Sequence, residues 1–163
     1  MKKVFSIITL FIILILGGLI YLFLMGDLMI FRIKGTSMTP LLYQNDLVIS
    51  FRLKEYKRKD VVVFNYNNSK SIKRVIGLSN EKIDIRDKKV FIDGKELDED
   101  YISVPTVGEE LHYPYLVESN KYFVLGDNRV DSLDSRYLKI QGINKDEILG
   151  KVFFSITNFK FIK

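Results

Sequence analysis

"MIFRIKGTSMTP", Met29 to Pro40, holds the two features from which the rest of the chain can be read. Its first half alternates. Phe31, Ile33, Gly35 and Ser37 fall on one side of an extended strand and Arg32 and Lys34 on the other, the period-2 pattern of a half-buried β-strand. Its second half bends through Gly35 and ends at Pro40, with a serine between them. The strand pattern recurs downstream. "DLVISF" (46–51) and "DVVVF" (60–64) are β-branched runs separated by the basic turn "RLKEYKRK", and "SIKRVIGL" (71–78) is a further strand. "KIDIRDKKVFIDGKEL" (82–97) alternates on both sides of "RDKK", as a hairpin does, with Asp93-Gly94 as another turn. "YFVLGD" and "KVFFSI" supply late strands. "NKDEIL", starting at the N-cap candidate Asn144, is one short helical turn, and "PTVGEELHYPYLVESN" is a surface loop by its Pro and Gly. The expected fold is mainly β and antiparallel, a single domain over residues 27–163.

Ahead of it, "VFSIITLFIILILGGLIYLFLM" (4–25) is 22 residues without a charge. At about 1.5 Å per residue such a helix crosses a hydrocarbon core of about 30 Å. Lys2 and Lys3 precede it and Asp27 follows, so the positive-inside rule places the N-terminus in the cytoplasm and the remainder outside. The competing reading is a removed leader, whose apolar region runs about 7–15 residues to an A-x-A-like site. This run is longer and the chain contains no alanine, which favours a retained single-pass anchor over residues 1–26.

The formal charge is +5, and removing Lys2 and Lys3 leaves about +3 outside. That excess weakly favours an anionic membrane surface and is too scattered for nucleic acid. With no Cys and one His, the chain has no disulfide, no thiolate nucleophile, no structural zinc site and no H-E-x-x-H metalloprotease motif.

Ser37 is a candidate nucleophile, and a serine hydroxyl needs a neighbouring base. His112 lies in the aromatic loop "ELHYPYL" without a carboxylate at an orienting spacing, which argues against a Ser-His-Asp triad. A lysine serves if burial lowers its pKa from about 10.4 towards 7–8. Most lysines here sit in polar turns. Lys73 lies between Ile72 and Val75-Ile76 in an apolar strand, where it is either a base or a strand-edge lysine reaching for water. "GDNRVDSLDSR" (126–136) directly follows an apolar strand and is either a solvated turn or an Asx-turn network at a site edge.

Taken together, these segments resemble the type I signal peptidases, the membrane-anchored Ser/Lys endopeptidases of family S26 that remove signal peptides from exported preproteins. "GTSMTP" is similar to the family's G-x-S-M-x-P box, and "KRKDVVVF" to R-G-D-I-V-V-F. "IKRVIGL" is similar to Y-x-K-R-V-I-G-L-P-G-D, and "GDNRVDSLDSR" to G-D-N-R-x-x-S-x-D-S-R. All four follow the anchor in the family's order. The resemblance implies Ser37 as nucleophile and Lys73 as base, acting through an acyl-enzyme. It implies that Ser132 hydrogen-bonds the Lys73 amine, that Asp134 and Arg136 form an ion pair beneath the site, and that Arg74 and Asp127 brace it. The oxyanion would be held by the Ser37 backbone N–H, and Gly35 stands where some relatives carry a second, hydroxyl donor, as in many Gram-positive members. Phe31, Ile33 and Ile72 would line apolar pockets for the small −1 and −3 residues of the substrate, with ordinary core as the alternative. No cofactor or metal is implied. The implied partners are preprotein signal peptides with A-x-A-like sites and the lipid bilayer, not nucleic acid.

The chain departs from the family pattern at Ser79-Asn80-Glu81, which replace Pro-Gly-Asp, at Leu41 after Pro40, at Lys59 in place of Gly, and at "YLKIQG" after Arg136. These leave open a divergent member with a narrow substrate range. Two rivals differ in what they need: a self-cleaving repressor-type protease has a DNA-binding domain where this chain has its anchor, and a catalytically idle assembly chaperone would lack Ser37 or Lys73.

Overall fold

The computed structural model describes residues 2–162, with side chains described from Ile7 onward. Helix α1 (Lys2–Leu24) carries the apolar run, and its side chains from Ile7 to Leu24 are not buried against the rest of the chain. It stops at Gly26, whose φ of 76° only glycine adopts freely. The Gly26 N–H bonds the Phe23 carbonyl at 3.1 Å and the Asp27 N–H bonds that of Leu22 at 3.0 Å. This Schellman motif satisfies the last helical carbonyls and turns the chain directly into the first strand.

The strands are β1 (Leu28–Arg32), β2 (Leu47–Phe51), β3 (Val61–Tyr66), β4 (Ser69–Gly77), β5 (Lys82–Arg86), β6 (Lys89–Ile92), β7 (Lys95–Glu96), β8 (Tyr115–Leu116), β9 (Lys121–Leu125), β10 (Gly142–Asn144), β11 (Ile148–Ser155) and β12 (Lys160–Phe161). They form two antiparallel sheets. The larger has the order β1-β2-β11-β3-β4-β9-β10, with β12 added to β11, and the smaller the order β7-β6-β5-β8. The "RDKK" hairpin is present, with Ile85 opposite Val90 and Arg86 opposite Lys89. The "NKDEIL" turn is a single 3₁₀ turn (Lys145–Glu147), closed by the Glu147 carboxylate accepting the Asn144 N–H at 2.9 Å. His112 is exposed in the long loop, which contributes only the two-residue β8.

β3 and β4 lie inside the larger sheet, and their residues face opposite cores in alternation. Val61, Val63 and Ile72 pack with Phe31, Ile33, Met38 and Val152 on one face, and Val62, Phe64 and Val75 with Tyr122, Val124 and Ile143 on the other. A third cluster, including Ile76, Phe123 and Leu125, joins the smaller sheet through Ile83 and Val90. The continuous apolar runs of β3 and β4 follow from burial on both faces.

The alternation read from residues 29–37 holds only in part. β1 ends at Arg32, although the Ile33 N–H still bonds the Asp46 carbonyl at 2.8 Å. Gly35 then adopts φ 79° and turns the chain, so Gly35 and Ser37 leave the strand face that Phe31 and Ile33 share. Lys59 has φ 72°, a left-handed geometry that explains why a glycine suits the same point of the family box.

Candidate active site

Ser37 sits on the turn that follows Gly35, and the turn is anchored at both ends. Met38 and Leu42 sink into the core, and the Leu42 N–H bonds the Met38 carbonyl at 2.9 Å. From the other side the "GDNR" loop clamps it. The Asn128 N–H donates to the Ser37 carbonyl at 3.1 Å, and Asn128 Nδ2 to Thr36 O at 3.3 Å and Thr39 Oγ1 at 3.2 Å. Thr36 Oγ1 also donates to the Asp131 carboxylate.

Lys73 lies opposite Val62 near the middle of β4 and is only 5% exposed. Its Nζ is 2.8 Å from Ser37 Oγ and 3.0 Å from the Ile72 carbonyl. Burial is the main influence on this amine and pulls its pKa from 10.5 down to about 8, against the opposing pull of the Asp134 and Asp131 carboxylates. A group of this kind is uncharged in an appreciable fraction of molecules near neutral pH, which a general base requires.

Three buried arginine–carboxylate pairs hold the loop behind the dyad. Arg136 Nε and Nη2 meet the Asp134 carboxylate at 2.8 and 3.0 Å, both side chains fully buried. Arg74 Nε and Nη2 meet Asp127 at 2.8 and 2.6 Å. Arg129 Nη1 and Nη2 meet Glu99 at 3.0 and 2.6 Å, and its Nε donates to the Gly126 carbonyl at 2.9 Å. The first two pairings are those that the sequence resemblance implied. The third was missed, because Glu99 comes from "LDEDY", a segment that reads as a plain acidic turn.

Ser132 is buried close to the dyad, but its Oγ has no hydrogen-bond partner among the described residues. The expected bond to the Lys73 amine is therefore not made. Ser132 is wedged against Gly126: a Cβ built there would lie 2.2 Å from Ser132 Oγ and 2.5 Å from Ser37 O. Gly126→Ala is accordingly expected to push Ser37 off its position and cost about 100-fold in turnover, the scale of a 1 Å misplacement. Steady-state rates of the purified variant check this, and a wild-type rate would show that the loop yields freely.

Two concavities meet at the dyad. One, of about 560 Å³, has Phe31, Ile33, Val63 and Ile72 among its walls, and the other, of about 280 Å³, has Phe64, Tyr66, Asp131 and Leu133. Phe31, Ile33 and Ile72 thus combine a core position with a face on the larger cleft. That cleft runs between two unpaired backbone edges. β1 ends the larger sheet, and β9 pairs with β4 only at Arg74, Val75 and Gly77, which leaves Ser69–Lys73 unpaired on that side. An extended peptide can add hydrogen bonds to both banks.

The family model described as "Signal peptidase, peptidase S26" matches residues 3–157. The chain belongs to this family. Among its relatives are a probable signal peptidase I-2 from Synechocystis sp., 36% identical over 133 residues that cover 74% of this chain and 59% of that protein. Signal peptidase IB from Staphylococcus aureus strain Mu50 is 31% identical over 167 aligned positions, covering 88% of this chain and 86% of the relative. The match thus spans most of the staphylococcal relative but less than two thirds of the cyanobacterial one. A crystal structure of a signal peptidase I from Enterococcus faecalis V583 superposes with a TM-score of 0.51 at 30% identity, covering 61% of this chain and 98% of that one. The mainly β architecture with an N-terminal apolar helix is therefore the S26 peptidase fold, and "GTSMTP", "IKRVIGL" and "GDNRVDSLDSR" supply Ser37, the Lys73 amine beside it and the loop that clamps its turn.

Proposed function

We propose that this S26 chain is a type I signal peptidase, a membrane-bound serine endopeptidase that removes N-terminal signal peptides from exported preproteins. The observation that carries the reading is the 2.8 Å approach of a buried lysine amine, with its pKa near 8, to Ser37 Oγ. Neutral Lys73 takes the Ser37 proton as Oγ attacks the carbonyl of the −1 residue. The tetrahedral oxyanion is held by the Ser37 backbone N–H, with no hydroxyl at Gly35 to assist. Collapse to the acyl-enzyme passes the proton to the departing amine, and the same lysine then activates the hydrolytic water. Asp134–Arg136 and Arg74–Asp127 act at one remove, by fixing the loop against which the Ser37 turn is clamped.

The substrate lies extended between the β1 edge and the unpaired part of β4. Its small −1 and −3 side chains, of the A-x-A type, point down to Phe31, Ile33 and Ile72. Helix α1 spans the bilayer with Lys2 and Lys3 on the cytoplasmic side and residues 27–163 outside, and the Schellman turn at Gly26 keeps the catalytic domain against the surface where cleavage sites emerge. Cleavage of a preprotein reporter by the full chain in proteoliposomes tests the reading, with product masses locating the cut. Intact reporter at long times overturns it.

The pH dependence follows from the amine. Activity needs neutral Lys73, so it should rise through a midpoint near pH 8, with about a tenth of the maximum at pH 7. A kcat/KM profile over pH 6–10 checks this. A midpoint near that of a free lysine would place the working amine in water.

A further inference from the structure

The cleft that this reading assigns to the substrate is charged on one sign only. Arg32, Lys34 and Lys70 line it, and no Asp or Glu does among the described residues. The placement of the cations follows from strand geometry. In β1 and its continuation, Phe31 and Ile33 point into the core, so Arg32 and Lys34 project to the opposite, exposed face. Lys70 comes from the other bank, two residues before Ile72 on β4, and its Nζ sits 4.9 Å from the Phe31 ring centroid, which holds the ammonium at the upstream end of the apolar floor. None of the three has an ion-pair partner among the described residues, although those residues make ten such pairs elsewhere, buried and exposed together.

We propose that Arg32 and Lys34 make this peptidase selective for substrates with a carboxylate just upstream of the scissile bond, above all at −2 or −4. The proposal rests on the signal-peptidase reading. A strand whose −1 and −3 side chains enter the floor must turn its −2 and −4 side chains to the opposite face, where Arg32 and Lys34 stand. A substrate carboxylate there gains attraction from two cations flanked by low-dielectric walls, and a substrate lysine meets repulsion from the same two. The cations are exposed, so each contributes modestly and salt screens them.

The test uses the full chain in zwitterionic detergent micelles and three peptides that share an A-x-A site and differ only at −2: Asp, Ala or Lys. The expected kcat/KM for the Asp peptide exceeds that for the Lys peptide by about tenfold at low ionic strength, falling towards parity at about 0.5 M salt. The Arg32→Gln/Lys34→Gln variant should lower that ratio to about twofold, a comparison internal to one enzyme and so independent of its overall rate. Equal cleavage of Asp and Lys peptides by the wild-type chain overturns the proposal and leaves the peptidase reading intact. A ratio unmoved by the double substitution also overturns it, by placing the selectivity elsewhere. A preference that appears only in vesicles containing phosphatidylglycerol would assign the cations to the lipid surface and reject the proposal. Cleavage of none of the three peptides removes the peptidase reading, and the proposal with it.

Discussion

Ser37→Ala and Lys73→Ala are each expected to reduce reporter cleavage by at least about 10³-fold while leaving the fold in place, since nucleophile and base work as one unit. Lys73→Arg should be as inactive, because a guanidinium does not release its proton near neutral pH. Lys73→Met separates catalysis from folding. In the wild-type chain the amine has a pKa of about 8 when folded, against 10.5 for a lysine in water. Between those values the unfolded chain holds the proton and the folded one does not, so stability rises with pH across that window and is lowest below it. Met, apolar and of similar length, should thus raise stability below pH 8 by roughly 1–3 kcal/mol and flatten its pH dependence between 8 and 10.5. A chain that gains stability while losing activity is the signature of a buried base. Wild-type cleavage by Lys73→Met would refute the dyad.

The second large effect lies behind the dyad. Asp134→Ala strips the buried Arg136 guanidinium of its bidentate carboxylate, leaving it only Glu109 at 3.5 Å, and deprives the Gly126 N–H of its acceptor, now at 3.0 Å from Asp134 Oδ2. Breaking one side of a buried ion pair costs about 3–5 kcal/mol. The same change frees Gly126, against which Ser132 packs, so turnover should fall as well. Asp134→Leu combined with Arg136→Met removes both charges and should recover much of the stability without the activity, because the loop would be packed but no longer aimed. Urea unfolding of the single and double variants in detergent measures this. A single variant within about 1 kcal/mol of wild type would mean that water reaches Arg136 and that the pair is not a keystone of the loop.

These two experiments probe parts of the site that differ in how far the sequence reveals them. Ser37 and Lys73 were candidates by local pattern: a serine at a Gly-to-Pro turn, and a lysine embedded in an apolar strand in a chain with one histidine and no cysteine. The resemblance of the four boxes is what assigned their roles. The support behind them is harder to see. Arg129 is visible in "GDNR", but its partner Glu99 lies 30 residues earlier in a segment without a pattern. Asn128 reaches Thr36 and Thr39 across about 90 residues of chain. Ser132 was expected at the lysine amine and instead packs, unpaired, against Gly126.

By itself the sequence determined what depends on near neighbours. The 22-residue uncharged run dictates a membrane-length helix, alternation of period two dictates strands, and Gly35 before Pro40 marks a bend, where the backbone takes positive φ. All of these are energies of a residue with others a few positions away. Only the tertiary structure decided strand order and the closing of the site. β11 inserts between β2 and β3, which follow one another in the chain, and β9 stops short along β4 and leaves the edge on which a substrate strand can lie. Those choices rest on burying both faces of β3 and on neutralising three arginines in the interior. Such energies exist only once distant segments have come together.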